Sequence, residues 1–176
     1  MMKKLSLIGL IGALGLLLSC QTIAERPLMT ELKPVSTIFL VRHAEKTTKK
    51  EDPSLTAGGQ QRAEQLADLL ADAEINRIYS SDYVRTRDTA APLAKQLGLE
   101  VEIYDAGNLE AIASKLKTEG KRALVVGHSN TTPELVELLG GQGGDPIVEA
   151  TEYDRLYIVT ATDDGSANVL LLRFGQ

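Results

Sequence analysis

Hydrophobic and polar positions along the chain form two kinds of segment that alternate. Short runs of β-branched and aliphatic residues are typical of buried strands, and longer stretches with apolar residues three or four positions apart are typical of amphipathic helices. Strands are predicted over residues 37–41, 77–79, 101–104, 123–126, 156–160 and 168–172, and helices over about 55–71, 84–97, 109–117 and 132–139. This alternation predicts an α/β domain with helices on both faces of a sheet.

Residues that favour helix ends and turns support these boundaries. Thr56 is a suitable N-cap for the first helix, Gly98 suits the position just past the second, and Pro133 fits the first turn of the fourth. The turn Asp163-Asp164-Gly165 joins the last two strands, which are therefore expected to be antiparallel. The predicted fold is a three-layer α/β/α sandwich with a mostly parallel central sheet and an antiparallel strand at its C-terminal end.

The chain has only two histidines, and each directly follows a predicted strand. His43 comes after Ile38-Phe39-Leu40-Val41-Arg42, and His128 comes after Leu124-Val125-Val126-Gly127. Arg85 lies in the helix that follows the second strand. Because ligand sites in open α/β sheets form beyond the carboxyl ends of the strands, these side chains are expected to meet at one edge of the sheet. Two histidines and two arginines there predict phosphoryl transfer through a histidine.

These residue types suit that chemistry. A phosphomonoester is a dianion, and a transferring phosphoryl group spreads charge over its outer oxygens, so catalysis depends on positioning and electrostatic stabilisation. Arginine binds two such oxygens with its planar, permanently charged guanidinium group. A neutral imidazole offers a nucleophilic nitrogen near pH 7. We expect neighbouring arginines to lower the pKa of His43 and a backbone carbonyl to fix its tautomer.

Composition and charge narrow the function further. The chain has 176 residues, 43% of them hydrophobic, which is enough for the core of one domain. Its net charge is −5, and without residues 1–19 it keeps 17 basic and 24 acidic residues, a balance of −7. This disfavours nucleic acid as a partner, because nucleic-acid binding depends on basic surfaces. With two histidines and one cysteine no zinc site is expected, and we predict that the protein uses no metal and no cofactor.

The N-terminus resembles a bacterial export signal. A basic pair, Lys3-Lys4, precedes an apolar run over residues 5–18, which is shorter than the roughly 20 residues that span a bilayer. The run ends in Leu17-Leu18-Ser19-Cys20, which is similar to the lipobox of bacterial lipoproteins. We therefore predict a signal peptide over residues 1–19 and lipidation of Cys20.

This export signal predicts where the protein is located in the cell and where its folded domain begins. Gln21 after the cysteine is compatible with sorting to the outer membrane, so the protein is expected at the bacterial cell envelope, facing the periplasm. The alternative is an ordinary signal peptide cut after Thr22-Ile23-Ala24, which would discard Cys20. In the first case residues 20–35 are the lipidated cysteine and a polar tether, and residues 36–176 are the folded domain.

Four motifs, in this order on the predicted elements, resemble the histidine phosphatase superfamily, the phosphoglycerate-mutase-like enzymes. They are Arg42-His43, Leu55-Thr56 with Gly59 and Arg62-Ala63, Tyr79-Ser80-Ser81-Asp82 with Arg85 and Thr89-Ala90, and Gly127-His128. The similarity covers about residues 36–174 and indicates the small, single-domain branch. It implies a phosphoric monoester hydrolase that acts on a small phosphomonoester or a phosphorylated protein side chain.

The resemblance also implies roles for individual residues. His43 is the nucleophile and forms a phosphohistidine that water hydrolyses, whereas Arg42, Arg85 and His128 hold the phosphoryl oxygens. Further substrate contacts are expected from residues that flank the histidines, namely Lys46, Ser129 and Asn130.

The leaving oxygen needs a proton, so a carboxylic acid is expected near the phosphate. The predicted donor is Asp105, which follows the third strand, and the alternative donor is Glu134. Asp105 also suits a turn before Gly107.

Other charged residues have simpler interpretations. Arg85 has the alternative of an ion pair with Asp82 or Asp88, and Arg87 is predicted to be a solvated surface charge. A solvent-facing loop is predicted for the acidic residues Glu149, Glu152 and Asp154.

Two other functions compete with the phosphatase. One is a non-catalytic lipoprotein that binds phosphate with the same arginines but lacks an effective proton donor. The other is a phosphomutase, which is disfavoured because a mutase usually excludes water with sizeable lid insertions and this domain is compact.

Overall fold

Six strands and four helices lie within residues 34–175, the part of the chain that this computed structural model describes, and they alternate up to the last two strands, which follow each other directly. The strands are β1 (Val35–Arg42), β2 (Arg77–Ser81), β3 (Val101–Tyr104), β4 (Arg122–Gly127), β5 (Arg155–Thr162) and β6 (Ala167–Arg173). The helices are α1 (Ala57–Leu70), α2 (Val84–Leu97), α3 (Leu109–Thr118) and α4 (Thr131–Leu138). The predicted signal peptide, Cys20 and the tether up to residue 33 lie outside the described residues.

The strands form one mixed sheet in the order β3-β2-β4-β1-β5-β6. Strands β1 to β4 run parallel to one another, whereas β5 pairs antiparallel with both β1 and β6. The prediction of a mostly parallel sheet with an antiparallel strand near its C-terminal end is confirmed. The four parallel strands consequently end at the same edge of the sheet, where β1, β2 and β4 deliver the predicted site residues.

An apolar core lies on each face of the sheet. On one face α1 and α2 bury Leu66 and Leu93, and on the other α3 and α4 bury Leu116 and Leu135, each at most 2% exposed. Burial of one such side chain stabilises the fold by about 1.5–3 kcal/mol. The predicted three-layer arrangement is therefore confirmed, and aliphatic packing holds it together.

Helix α1 packs closely on the segment that follows β1. The Thr56 hydroxyl caps the helix by accepting a hydrogen bond from the Gly59 amide at 3.0 Å. A Cβ atom at Gly59 would overlap the backbone carbonyl of Glu45. Glycine at this position thus lets α1 approach the chain two residues beyond His43 and fix its path.

The observed elements differ little from the predicted ones. Strand β2 continues to Ser81 because the hydroxyls of Ser80 and Ser81 are buried with hydrogen-bond partners, so these polar residues do not end the strand. Helix α2 ends at Leu97, and the next residue, Gly98, adopts the left-handed conformation (φ 65°) that the sequence predicts. Within residues 34–175, no helix has the length and apolar character needed to cross a bilayer.

Candidate active site

Neighbouring strands β1 and β4 place the two histidines side by side. Arg42 lies opposite Gly127 in the strand register, and the amide of His43 donates to the Gly127 carbonyl at 2.9 Å. The centres of the His43 and His128 rings are 5.6 Å apart. Both rings line a cavity of about 400 Å³ at the carboxyl ends of the strands, together with Arg85. Residues far apart in the sequence therefore meet in one site.

His43 is held as an uncharged ring with one nitrogen free. Its side chain is buried, and Nδ1 lies 2.7 Å from the Ala44 carbonyl oxygen. Because a carbonyl oxygen can only accept, Nδ1 carries the proton and Nε2 keeps its lone pair. Burial, followed by the charges of Arg42 and Arg85, lowers the pKa of His43 to about 3. The arginines contribute as predicted, but desolvation is the larger cause.

Arg42 is buried beside the nucleophile, although it does not line the cavity surface. One of its nitrogens, Nη1, donates to the Glu152 carbonyl at 2.9 Å. Its guanidinium group lies over the Tyr153 ring, 4.1 Å from the ring centre. These contacts leave Nε and Nη2 buried without a hydrogen-bond partner among the described residues.

Arg85 points towards His128 instead of pairing along its own helix. Its Nη2 lies 3.3 Å from His128 Nδ1, and its guanidinium group lies 4.3 Å from the centre of the Tyr83 ring. The nearest acid is Asp52, with Oδ1 3.8 Å from Nη1. The alternative pairing with Asp82 is wrong, because Asp82 pairs with Arg87.

A chain of hydroxyl groups orients His128. Because the Arg85 nitrogen can only donate, Nδ1 of His128 accepts from it and Nε2 carries the proton. Nε2 then donates to Ser81 Oγ at 2.9 Å, Ser81 donates to Thr86 Oγ1 at 3.1 Å, and Thr86 donates to the Ser81 carbonyl at 2.8 Å. Burial and the charge of Arg85 lower the pKa of His128 to about 4. In the free protein both rings are therefore neutral at physiological pH.

The unpaired nitrogens indicate the chemical nature of a ligand. Nε and Nη2 of Arg42 and Nε of Arg85 are buried without partners in the described part of the chain. A buried donor left without a partner costs about 1–3 kcal/mol, and more when it is charged. An oxyanion bound beside them would satisfy these donors. The arrangement thus favours a phosphate dianion over a neutral ligand.

The predicted substrate contacts and the predicted acids are placed differently. Lys46, Ser129 and Asn130 all line the cavity. The side chain of Asp105 does not line it and instead accepts from the Gly107 amide at 2.8 Å, which confirms the alternative of a turn. Glu134 is exposed on α4 and does not line the cavity either. The structure therefore brings neither predicted acid into the site.

The segment from residue 148 to residue 154 corrects the prediction of a solvent-facing loop. Glu152 accepts from Arg155 Nε and Arg173 Nη1, each at 2.7 Å, and its side chain is only 14% exposed. Its hydrogen bonds from Arg155 hold the pKa of Glu152 at about 2. Asp154 also pairs with Arg173, at 2.6 Å. Glu149 is exposed as predicted, but it lines the cavity.

Several contributors to the site have no clear signal in the sequence. Ser81 and Tyr83 belong to the motif around Arg85, but that motif does not show that they contact His128 and Arg85. Tyr153 and Glu149 lie in an irregular segment without periodicity, so only the fold brings them to the site. Among residues 34–175, no group of three or more His, Cys, Asp or Glu side chains is arranged to hold a metal ion.

Comparisons with known proteins agree with this geometry. Residues 38–107 match the family model described as "Histidine phosphatase superfamily (branch 1)". A curated relative, the "Probable phosphoglycerate mutase GpmB" of Escherichia coli O1:K1 / APEC, is 34% identical over 106 residues, which cover 56% of this chain and 49% of the relative. Part of the chain is therefore similar to the histidine phosphatase superfamily. The chain spans about half the length of the curated relatives that it matches.

Solved structures of two phosphatases share the fold. The protein histidine phosphatase SixA complexed with tungstate has a TM-score of 0.65 and 22% identity, covering 78% of this chain and 96% of that one. The mycobacterial glucosyl-3-phosphoglycerate phosphatase has a TM-score of 0.61 and 14% identity, covering 80% and 98%. These likenesses establish the α/β fold with its mixed six-stranded sheet.

Proposed function

We propose that this chain is a metal-independent phosphohydrolase that passes a phosphoryl group first to Nε2 of His43 and then to water. One observation carries the proposal. A neutral imidazole with a free lone pair lies in the same site as guanidinium nitrogens that have no hydrogen-bond partner among residues 34–175. A nucleophile and a set of anion-binding donors are the two parts that phosphoryl transfer requires.

The arrangement supports a two-step reaction. The substrate phosphate binds between Arg42, Arg85 and His128, which offset its negative charge and hold phosphorus in line with Nε2 of His43. Attack by Nε2 breaks the bond to the leaving oxygen and forms a phosphohistidine. Positive charge then develops on the His43 ring, and the Ala44 carbonyl stabilises it through Nδ1–H. Water attacks phosphorus in the second step and releases inorganic phosphate.

The substrate class follows from the site and from the similar proteins. The cavity offers Lys46, Ser129 and Asn130 to the part of the substrate beyond the phosphate. The similar structures include a protein histidine phosphatase and a phosphatase of a small phosphorylated sugar acid. We therefore propose a small phosphomonoester or a phosphorylated protein side chain as the substrate.

A non-catalytic phosphate-binding protein is the second candidate. It is favoured by one observation, namely that Asp105 and Glu134 both lie outside the cavity. Such a protein would bind phosphate but would not form a phosphohistidine.

Labelling of the nucleophile tests the proposal and separates the two candidates. Wild-type protein mixed with ³²P-labelled aryl phosphate and quenched quickly should carry an acid-labile label on His43. His43→Ala should carry no label and should lose turnover by at least roughly 1000-fold, because no other side chain replaces the nucleophile. Thermal unfolding of both proteins controls for folding. Appreciable turnover by His43→Ala, or phosphate binding without any labelling of the wild type, would contradict the phosphohydrolase.

A further inference from the structure

The proposed reaction leaves one proton without an assigned carrier. An alkoxide is a poor leaving group, so the leaving oxygen of an alkyl phosphate must receive a proton as its bond to phosphorus breaks. In the second step, the attacking water must lose one. The identity of the group that carries this proton rests on the proposed function. Asp105 and Glu134, the two acids that the sequence suggested, do not line the cavity.

Glu149 provides the only carboxylate among the residues that line the cavity in the described part of the chain. The other ionisable groups there are poorly suited to donate. His128 already directs its single proton to Ser81, and the Lys46 ammonium group is proposed to contact the substrate beyond the phosphate. We propose that Glu149 is the catalytic acid and base of this site.

The backbone around Glu149 is fixed by several contacts. The Glu152 side chain accepts from the Val148 amide at 3.0 Å, and the Glu152 amide donates to the Val148 carbonyl at 2.9 Å. These two bonds close a tight turn with Glu149 inside it. The Glu152 carbonyl is bound in turn by Arg42. The arginine proposed to bind phosphate therefore also anchors the turn that carries the acid.

The surroundings of the carboxylate suit proton transfer. The Glu149 side chain is exposed and lines the cavity, so its carboxylate is accessible to a substrate. Its negative charge nevertheless acts on both Arg42 and His128, where it partly offsets the lowering of their pKa values by burial. A phosphate dianion bound between those residues would therefore lie in the cavity that Glu149 lines.

With Glu149 in this role, the proton given up in the first step is recovered in the second. In the first step the bond from phosphorus to the leaving oxygen breaks, the bond from phosphorus to Nε2 of His43 forms, and protonated Glu149 gives its proton to the leaving oxygen. In the second step the Glu149 carboxylate takes a proton from water as the water oxygen bonds to phosphorus and the bond to Nε2 breaks. An alcohol and inorganic phosphate are released, and Glu149 is again protonated.

A comparison of two leaving groups tests this assignment. p-Nitrophenolate leaves without a proton, whereas the alkoxide of glycerol phosphate does not. Glu149→Gln should lower kcat/KM for glycerol phosphate by roughly 100-fold or more and should change kcat/KM for p-nitrophenyl phosphate only a few-fold. Because Glu149 also assists the second step, the variant should accumulate labelled phosphohistidine with the aryl ester. Glu110→Gln, an exposed acid on α3 outside the cavity, is the matched control and should behave as the wild type.

The outcomes separate this assignment from the proposed function. Equal losses on both esters, or an unchanged rate of Glu149→Gln on glycerol phosphate, would refute the role of Glu149 while leaving the phosphohydrolase intact. A selective loss in Asp105→Asn or Glu134→Gln would also refute it and would assign the proton to that residue. A wild type that hydrolyses neither ester and is never labelled on His43 would overturn both proposals.

Discussion

At the residue scale, the two histidines have the same charge but opposite tautomers. His43 protonates Nδ1 and leaves Nε2 free, whereas His128 protonates Nε2 and turns Nδ1 towards Arg85. The carbonyl partner of His43 was predictable, because the residues after a strand end expose their backbone groups. The partner of His128 was not, since Ser81 is 47 residues away and only the pairing of β2 with β4 brings them together.

The lowered pKa of His43 predicts how the stability of the protein depends on pH. Because the folded state holds this pKa at about 3, below the usual 6.5, the unfolded chain binds more protons in mild acid. The stability contributed by the neutral ring is thus present above about pH 6.5 and is lost as the pH falls towards 3. From pH 7.5 to pH 5, His43 alone should lower the free energy of unfolding by about 2 kcal/mol.

Urea unfolding at both pH values measures this loss. His43→Gln should lose about 2 kcal/mol less than the wild type over the same interval, because it keeps the contribution of His128 but has no imidazole at position 43. An identical pH dependence in the two proteins would show that the His43 ring takes up protons as readily in the folded state as in the unfolded chain.

At the element scale, local patterns predicted every strand and helix of the described residues, but not the segment between α4 and β5. Caps such as Thr56 and Gly98 act on adjacent residues, so a sequence reveals them directly. The turn around Glu149 depends instead on Glu152, which pairs with Arg155 and with the distant Arg173. A charged stretch held by pairs across the fold has the same composition as a solvated loop, and only the structure distinguishes them.

Glu152→Gln tests whether these ion pairs hold the turn. The substitution leaves the buried Arg155 without its charged partner, so it should lower the free energy of unfolding by about 2 kcal/mol. It should also raise KM, because a loosened turn displaces both the Glu152 backbone carbonyl that binds Arg42 and the Glu149 side chain. Denaturant unfolding and steady-state kinetics with p-nitrophenyl phosphate measure both effects.

Glu102→Gln is the matched control for that experiment. Glu102 also pairs with a basic residue, Lys115, at 3.0 Å, but both side chains are more than 40% exposed. The control should change the stability by less than about 0.5 kcal/mol and leave KM unchanged. A similar small effect in Glu152→Gln would mean that the turn is held by its backbone hydrogen bonds alone.

At the scale of the whole molecule, a protein with a negative net charge has a positively charged site. The parallel order of β2, β4 and β1 directs Arg85, His128 and Arg42 to one edge of the sheet, so a local positive charge persists in a protein of net charge −5. Such a site attracts phosphate without making the surface basic. The order of the motifs along the sequence predicted that these three residues meet. That Glu149 and Tyr83 line the cavity could be seen only in the three-dimensional fold.

The proposed location at the cell envelope depends on Cys20, which lies outside the described residues, and it is testable in cells. More than one acyl chain on a cysteine anchors a protein stably, because each buried methylene contributes about 0.8 kcal/mol. The wild type should therefore sediment with membranes and enter the detergent phase of a Triton X-114 separation. Cys20→Ala should remain in the aqueous phase with unchanged kcat/KM on p-nitrophenyl phosphate, since the described residues that line the cavity lie between His43 and Glu149 in the sequence. A wild type that is already aqueous, and whose mature N-terminus is Glu25 by mass spectrometry, would instead establish cleavage after Ala24.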